Sequence, residues 1–201
     1  DNILGVCNNT PTFNAIGAND MPNWCQNVAT FTHTDSEMMA KLNEAIDSKD
    51  LFKSFFPTPF ELDDGNAHCW GGSEQQIADQ NAIRSSNNEK YGYENGNDWR
   101  CGEWGTKWDA SDVVVTDESA NQITVIFDTA WTPPIGFYDK MADLGFDIDA
   151  KYYESGCGFC GRYDESGDTC YEWDDLESAR KTIPTDIDEE FNIIETLEEW
   201  D

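Results

Sequence analysis

Basic residues are scarce in this chain. Twelve lysines and arginines stand against forty-one aspartates and glutamates, a formal net charge of −29 over 201 residues. That deficit argues against direct binding to DNA, RNA or an anionic lipid surface, each of which needs cationic side chains opposite its phosphates. Histidine is rarer still, with only His33 and His68, and neither has a convincing catalytic or ligating neighbour in the sequence. No apolar run approaches the roughly 20 residues of a membrane span. The opening residues lack the basic-then-apolar pattern of a signal peptide, so a soluble protein is expected. A glycine-rich phosphate loop, an Asp-x-Asp-x-Asp-Gly calcium loop and a serine nucleophile elbow are all missing. Carboxylates are so numerous that a pair placed for acid–base work is expected by coincidence. Enzymatic activity is therefore not expected, and no catalytic residue is assigned.

Apolar residues make up 38% of the chain and aromatic residues 13%, enough for one well-filled core at this length. The densest aromatic stretch is Trp99 to Trp108, which reads Trp-Arg-Cys-Gly-Glu-Trp-Gly-Thr-Lys-Trp. Three indoles so close together nucleate a core, and the two glycines let the backbone turn between them. Trp99, Trp104, Lys107, Trp108 and Trp131 are assigned to a structural aromatic knot, with Lys107 placed to lie over an indole face. Trp104 and Trp108 are expected to be mostly buried.

Residues 1–20 read as a polar leader or arm. Gln26–His33 alternates as a strand, and Asp35 is placed to cap a helix reaching Ser48 with Met38, Leu42 and Ile46 inward. Leu51–Leu62 is apolar and, with its Pro-Thr-Pro, is expected to run extended along the core. The polar stretch 63–98 reads as a long insertion with one short helix near Ser73–Arg84, anchored by Ile77 and Ile83. Two strands follow, Ser111–Thr116 and Gln122–Thr129, then a helix over Pro133–Leu144 and a strand over Phe146–Tyr153. This order predicts an α+β fold, a ferredoxin-like split βαβ sandwich with two helices on one face of an antiparallel sheet. A hairpin over Phe159–Trp173 extends the sheet. The domain thus covers 21–175, and 176–201 forms an acidic helical tail.

Seven cysteines, an odd number, point to mostly free thiols in a reducing compartment. Cys157-Gly-Phe-Cys160 has the spacing of half a zinc site, with Cys170 across the predicted hairpin. A structural site needs a second close pair, and His68-Cys69 is the sole other couple. Packed thiols are the default, so no cofactor is assigned and zinc stays the alternative.

Several stretches together resemble the YubB-type family of phage and plasmid proteins. They are Met21-Pro-Asn-Trp-Cys25, Phe56-Pro-Thr-Pro-Phe-Glu-Leu62, Tyr91-Gly-Tyr93, Trp104-Gly-Thr-Lys-Trp-Asp109, Thr129-Ala-Trp-Thr-Pro-Pro134 and Tyr153-Glu-Ser-Gly with Phe159. The resemblance implies a ferredoxin-like core, a bacteriophage or mobile-element origin and action in the cytoplasm of a bacterial host. It brings no catalytic residues.

Acid is concentrated at the end of the chain, where Asp164 to Asp201 holds 15 acids and two bases. Ile187, Phe191, Ile194 and Leu197 recur at helical spacing, so the tail is expected to dock by that stripe. Asp186, Glu189, Glu190, Glu195, Glu198 and Glu199 then form a partner-binding acidic face, since acids three or four apart on a helix lie about 5–6 Å from each other. The function expected is an acidic interaction protein that binds a host nucleic-acid-handling protein through its basic surface, as a DNA mimic or host-defence inhibitor. The alternatives are a ferredoxin-like protein with another partner, its charge serving solubility, and a small zinc-stabilised protein or enzyme. The sequence leaves the oligomeric state open.

Overall fold

A computed structural model of the chain describes residues 23–65 and 72–200. The expected leader, residue 201 and the His68-Cys69 couple lie outside the described residues.

Alternation in β1 (Trp24–Thr32) sets the architecture. Cys25, Asn27, Ala29 and Phe31 are buried, and the intervening residues point the other way. β1 pairs antiparallel with both β3 (Gln122–Ala130) and β4 (Asp147–Glu154), while β2 (Ser111–Glu118) lies outside β3. β5 (Phe159–Asp164) and β6 (Gly167–Glu172) continue beyond β4, giving a sheet of order β2-β3-β1-β4-β5-β6. The first four strands carry the ferredoxin-like order and the hairpin extends it, as the sequence predicts.

Helices α1 (Ser36–Ser48) and α6 (Ile135–Asp143) cover one face. Asp35 caps α1 by accepting from the Glu37 N–H at 2.8 Å, and Lys49 ends it in the left-handed region. Met39, Leu42, Ala45 and Ile46 from α1 meet Phe137, Tyr138 and Met141 from α6 over Phe31, Ile123, Val125 and Phe127 of the sheet. A polar pocket under this layer is satisfied. Asn27 donates to the Cys25 carbonyl at 2.8 Å and to the Thr129 hydroxyl at 3.0 Å, and Tyr138 donates to its side-chain oxygen at 3.4 Å.

Two segments differ from the sequence-based expectation. Leu51–Leu62 is not extended: α2 (Leu51–Phe55) and α3 (Phe60–Gly65) are helical, and residues 56–59 between them, which hold the Pro-Thr-Pro, lack regular structure. The cause of the first turn lies far away in sequence, where the Asp109 carboxylate accepts from the backbone N–H groups of Phe52 and Lys53 at 2.8 and 3.0 Å. The expected insertion is mostly helix, with α4 (Glu74–Tyr91) and α5 (Gly96–Glu103). Ser73 and Gln76 form a capping box at the start of α4, and Gly92 ends it. Ile77 and Ile83, expected as anchors, are exposed; Gln80 and Asn87 are the buried positions. Asn87 donates to the carbonyls of Glu61 and Glu94 at 3.3 and 3.1 Å, so polar contacts hold this helix in place.

Candidate functional site

The tail begins with α7 (Leu176–Thr182), which Asp175 caps. The helical stripe expected over Ile187 to Leu197 falls on two helices, α8 (Thr185–Phe191) and α9 (Ile193–Trp200), broken at Asn192 with φ of 54°. Asn is among the residues that tolerate this left-handed conformation, and Asp188 restarts the helix by accepting from the Ile194 N–H at 2.8 Å. The break shifts the apolar phase. Ile187 and Ile193 are fully buried against Tyr153 and Cys160, on the sheet face opposite α1 and α6, while Ile194 and Leu197 are only half-buried.

The six tail acids separate into two sets. Asp186 and Glu190 turn towards the sheet: Lys151 lies 3.5 and 3.6 Å from them, and Arg162 donates to Asp186. Glu198 pairs with Arg180, and Glu195 accepts from Asn192 at 2.8 Å. Burial of the Asp186 carboxyl works to raise its pKa, but Arg162 and Lys151 outweigh it and hold the group below the usual carboxylate range. Glu189 and Glu199 are the exposed members with no cation within ion-pair distance among the described residues. Four of the six acids are therefore engaged within the fold, two of them with the sheet, and Glu189 and Glu199 are displayed.

The aromatic knot is also divided. Trp104 is 2% exposed, donates from Nε1 to the Phe56 carbonyl at 2.9 Å and packs edge-on against Trp99 and Phe52. Trp108, expected to be buried, is 38% exposed. It leaves the core after Gly105 and meets Trp24 with ring centroids 6.2 Å apart, and the Lys107 ammonium sits 5.0 Å from its ring. Trp131, at φ of 72°, is half-buried where β3 ends.

The cysteines are spread. Cys160 faces α8, Cys170 pairs with Gly161 and so points to the other sheet face, and Cys157 lies exposed in the turn between β4 and β5. Burial, with Asp188 and Asp186 nearby, pushes the Cys160 thiol up to about 12, which makes it unreactive at neutral pH. Among the described residues no group of three His, Cys, Asp or Glu side chains is placed to hold a metal ion. The buried Glu154 carboxylate accepts from the N–H groups of Gly156 and Cys157 and so caps that same turn. Tyr152 donates to Asp168 at 2.7 Å and Tyr163 to Asp139 at 2.9 Å, and burial raises the pKa of both phenols.

The strand residues facing away from α1 and α6 form the surface that the sequence reading missed. Among the described residues, α8 and α9 roof its β4–β5 end. A cleft of about 500 Å³ lies where that roof stops, lined in part by Trp24, Gln26, Tyr153 and Phe191. Beyond it Trp24, Ile126 and Val114 stand 38%, 42% and 57% exposed. The signal in the sequence is Trp24 itself, which alternation places opposite the buried Cys25.

Residues 103–197 match the family described as a ferredoxin-like domain in Api92-like protein. Among solved structures the chain is similar to the crystal structure of a protein api92 from Yersinia pseudotuberculosis, at 10% identity and a TM-score of 0.40, over 76% of this chain and 98% of that one. No curated protein matches the chain at a significant level. The family match, over just under half of the chain, agrees with a ferredoxin-like fold and does not confirm the YubB-type label. No helix among the described residues is long and apolar enough to cross a membrane.

Proposed function

We propose that this chain is an acidic interaction protein of phage or plasmid type, in keeping with the YubB-type motifs, and that it binds the basic surface of a host nucleic-acid-handling protein. One observation carries the reading: the acid excess is not neutralised within the fold. Eight of the twelve bases, Lys53, Lys90, Arg100, Lys140, Lys151, Arg162, Arg180 and Lys181, are already within 4.0 Å of a carboxylate. Lys41 and Lys107 lie over aromatic rings. Ten of the twelve cations are thus engaged and most carboxylates are left over, many on ordered helices and strands that hold their spacing. An anionic surface of this kind attracts a basic groove and competes with nucleic acid for it.

The test is affinity capture from a bacterial lysate at low salt, followed by elution with duplex DNA and, separately, with sodium chloride. A partner released by both supports mimicry. A partner indifferent to both, or an interaction that DNA leaves in place at low salt, removes the nucleic-acid-mimic reading and leaves the charge to solubility.

A further inference from the structure

Among the described residues, the open sheet face joins two features in one place. The first is exposed apolar and aromatic area in one place. Val114 pairs with Ile126 across β2 and β3, Ile126 sits beside β1, and Trp24 leans against Trp108 at the end of the same face. All four are at least 38% exposed. The second is a carboxylate pair with no cation opposite it. Asp128 lies two residues from Ile126 on the same face, diagonal to Trp24, and Asp112 sits against it where β2 bulges, at φ of 52°. Among the described residues neither carboxylate takes an ion pair or a hydrogen bond, and Asp128 is half-buried. Burial and the Asp112 charge both push its carboxyl up, the mark of an anion short of a counter-ion.

We propose that this face is the docking surface for an arginine-bearing amphipathic segment of a protein partner, its apolar residues on Ile126 and Val114 and a guanidinium between Trp24 and the Asp112–Asp128 pair. The proposal rests on the acidic-interaction reading above and moves its centre from the tail to the sheet. Arginine fits better than lysine because a guanidinium is planar: it stacks on an indole and offers a fork of donors to carboxylates. Lys107 already lies over Trp108, so the indole of Trp24 is the free platform. A second copy of the chain is disfavoured, since it would bring another carboxylate pair and another charge of −29 to the same place.

The experiment uses the full chain and three synthetic 18-residue helical peptides, each with leucine on one face. The other face carries arginine, lysine or citrulline, which keeps the arginine shape without its charge. Affinity is read by fluorescence anisotropy for the native chain, for D112N/D128N and for E189Q/E199Q. The two double variants remove equal charge, and asparagine is close in shape to aspartate, so thermal melts should show both folded. The arginine peptide should bind several-fold tighter than the lysine peptide, and the citrulline peptide should lose binding. D112N/D128N should weaken the arginine peptide at least tenfold, E189Q/E199Q less than twofold. Equal losses in the two variants, or none, overturn the docking face while leaving a general basic-partner reading intact. If neither basic peptide binds, the basic-partner reading fails with it. Hydrogen exchange on the same complexes covers the other occupants: a dimer that dissociates when peptide binds, or residues 1–22 losing protection, assigns the face to a second copy or to the chain's own leading segment and overturns the proposal.

Discussion

Trp104 and Trp108 are four residues apart in the densest aromatic stretch, yet their side chains do different work. Trp104 fills the space between Phe52 and Trp99 and satisfies its one donor on the Phe56 carbonyl. Replacing it with alanine should cost about 3–5 kcal/mol, the range for large aromatics removed from cores, read from the denaturant midpoint. The same change at Trp108 should cost under about 1.5 kcal/mol, because most of what it loses is one ring contact with Trp24 and the stacked Lys107. Equal costs would mean that Trp108 belongs to the core after all. Gly105 separates the two roles: at φ of 88°, an added Cβ would lie 2.9 Å from the Ile135 nitrogen. Gly105→Ala should therefore destabilise by more than about 1 kcal/mol. Composition shows that indoles cluster here, and that much was legible. Which indole stays inside depends on a backbone turn against α6, a contact between residues thirty apart that no local pattern encodes.

At the scale of elements, strands with alternating burial and helices with an apolar stripe were readable, and β1, α1, β3, α6 and β4 lie within a few residues of where periodicity puts them. Elements held by other means were not. α4 has polar residues at its buried positions, so it carries no stripe, and α2 owes its first turn to a carboxylate over fifty residues away. The tail shows both cases. Its apolar residues announce docking, but the break at Asn192 rests on a left-handed residue and the Asp188 cap, and the inward turn of Asp186 and Glu190 follows from Lys151 and Arg162 on the sheet. Lys151 also donates to the Asp186 carbonyl at 2.9 Å, so it ties both the side chain and the backbone of α8. Lys151→Ala should lower the local opening free energy of α8 and α9 by about 1–3 kcal/mol, the worth of hydrogen bonds to charged groups. Hydrogen exchange should quicken in those two helices while β1 and β3 keep their protection. Unchanged exchange in the tail would show that Ile187 and Ile193 alone secure it.

For the whole molecule, stability is governed by a charge that no local motif controls. Asp109, Asp128 and Asp168 all have carboxyls pushed up, in each case first by burial, with Asp112 adding to the effect at Asp128. A carboxyl whose folded pKa exceeds its unfolded value binds its proton more readily when folded, so stability falls as pH rises through that range and is regained on mild acidification. Relief of the −29 self-repulsion acts in the same direction. The opposite group includes Glu61 and Glu103, held down by hydrogen bonds to Lys90 and Lys140, Asp175, which caps α7, and Asp186 between Lys151 and Arg162. What these contribute is present above the ordinary carboxylate pKa and lost as pH falls through their depressed values. The melting temperature should therefore peak on the acid side of neutrality, then drop as the second group protonates. Added salt separates repulsion from burial. Raising ionic strength from 0.01 to 0.15 M shortens the screening length from about 30 to about 8 Å, which weakens repulsion between distant surface carboxylates and leaves the cost of buried ones almost untouched. At pH 7 this should raise the melting temperature by several degrees, and at the acid optimum, with fewer charges left to screen, by much less. A melting temperature indifferent to salt at pH 7 would show that the carboxylates are spaced widely enough not to strain the fold, and that burial alone shapes the pH profile.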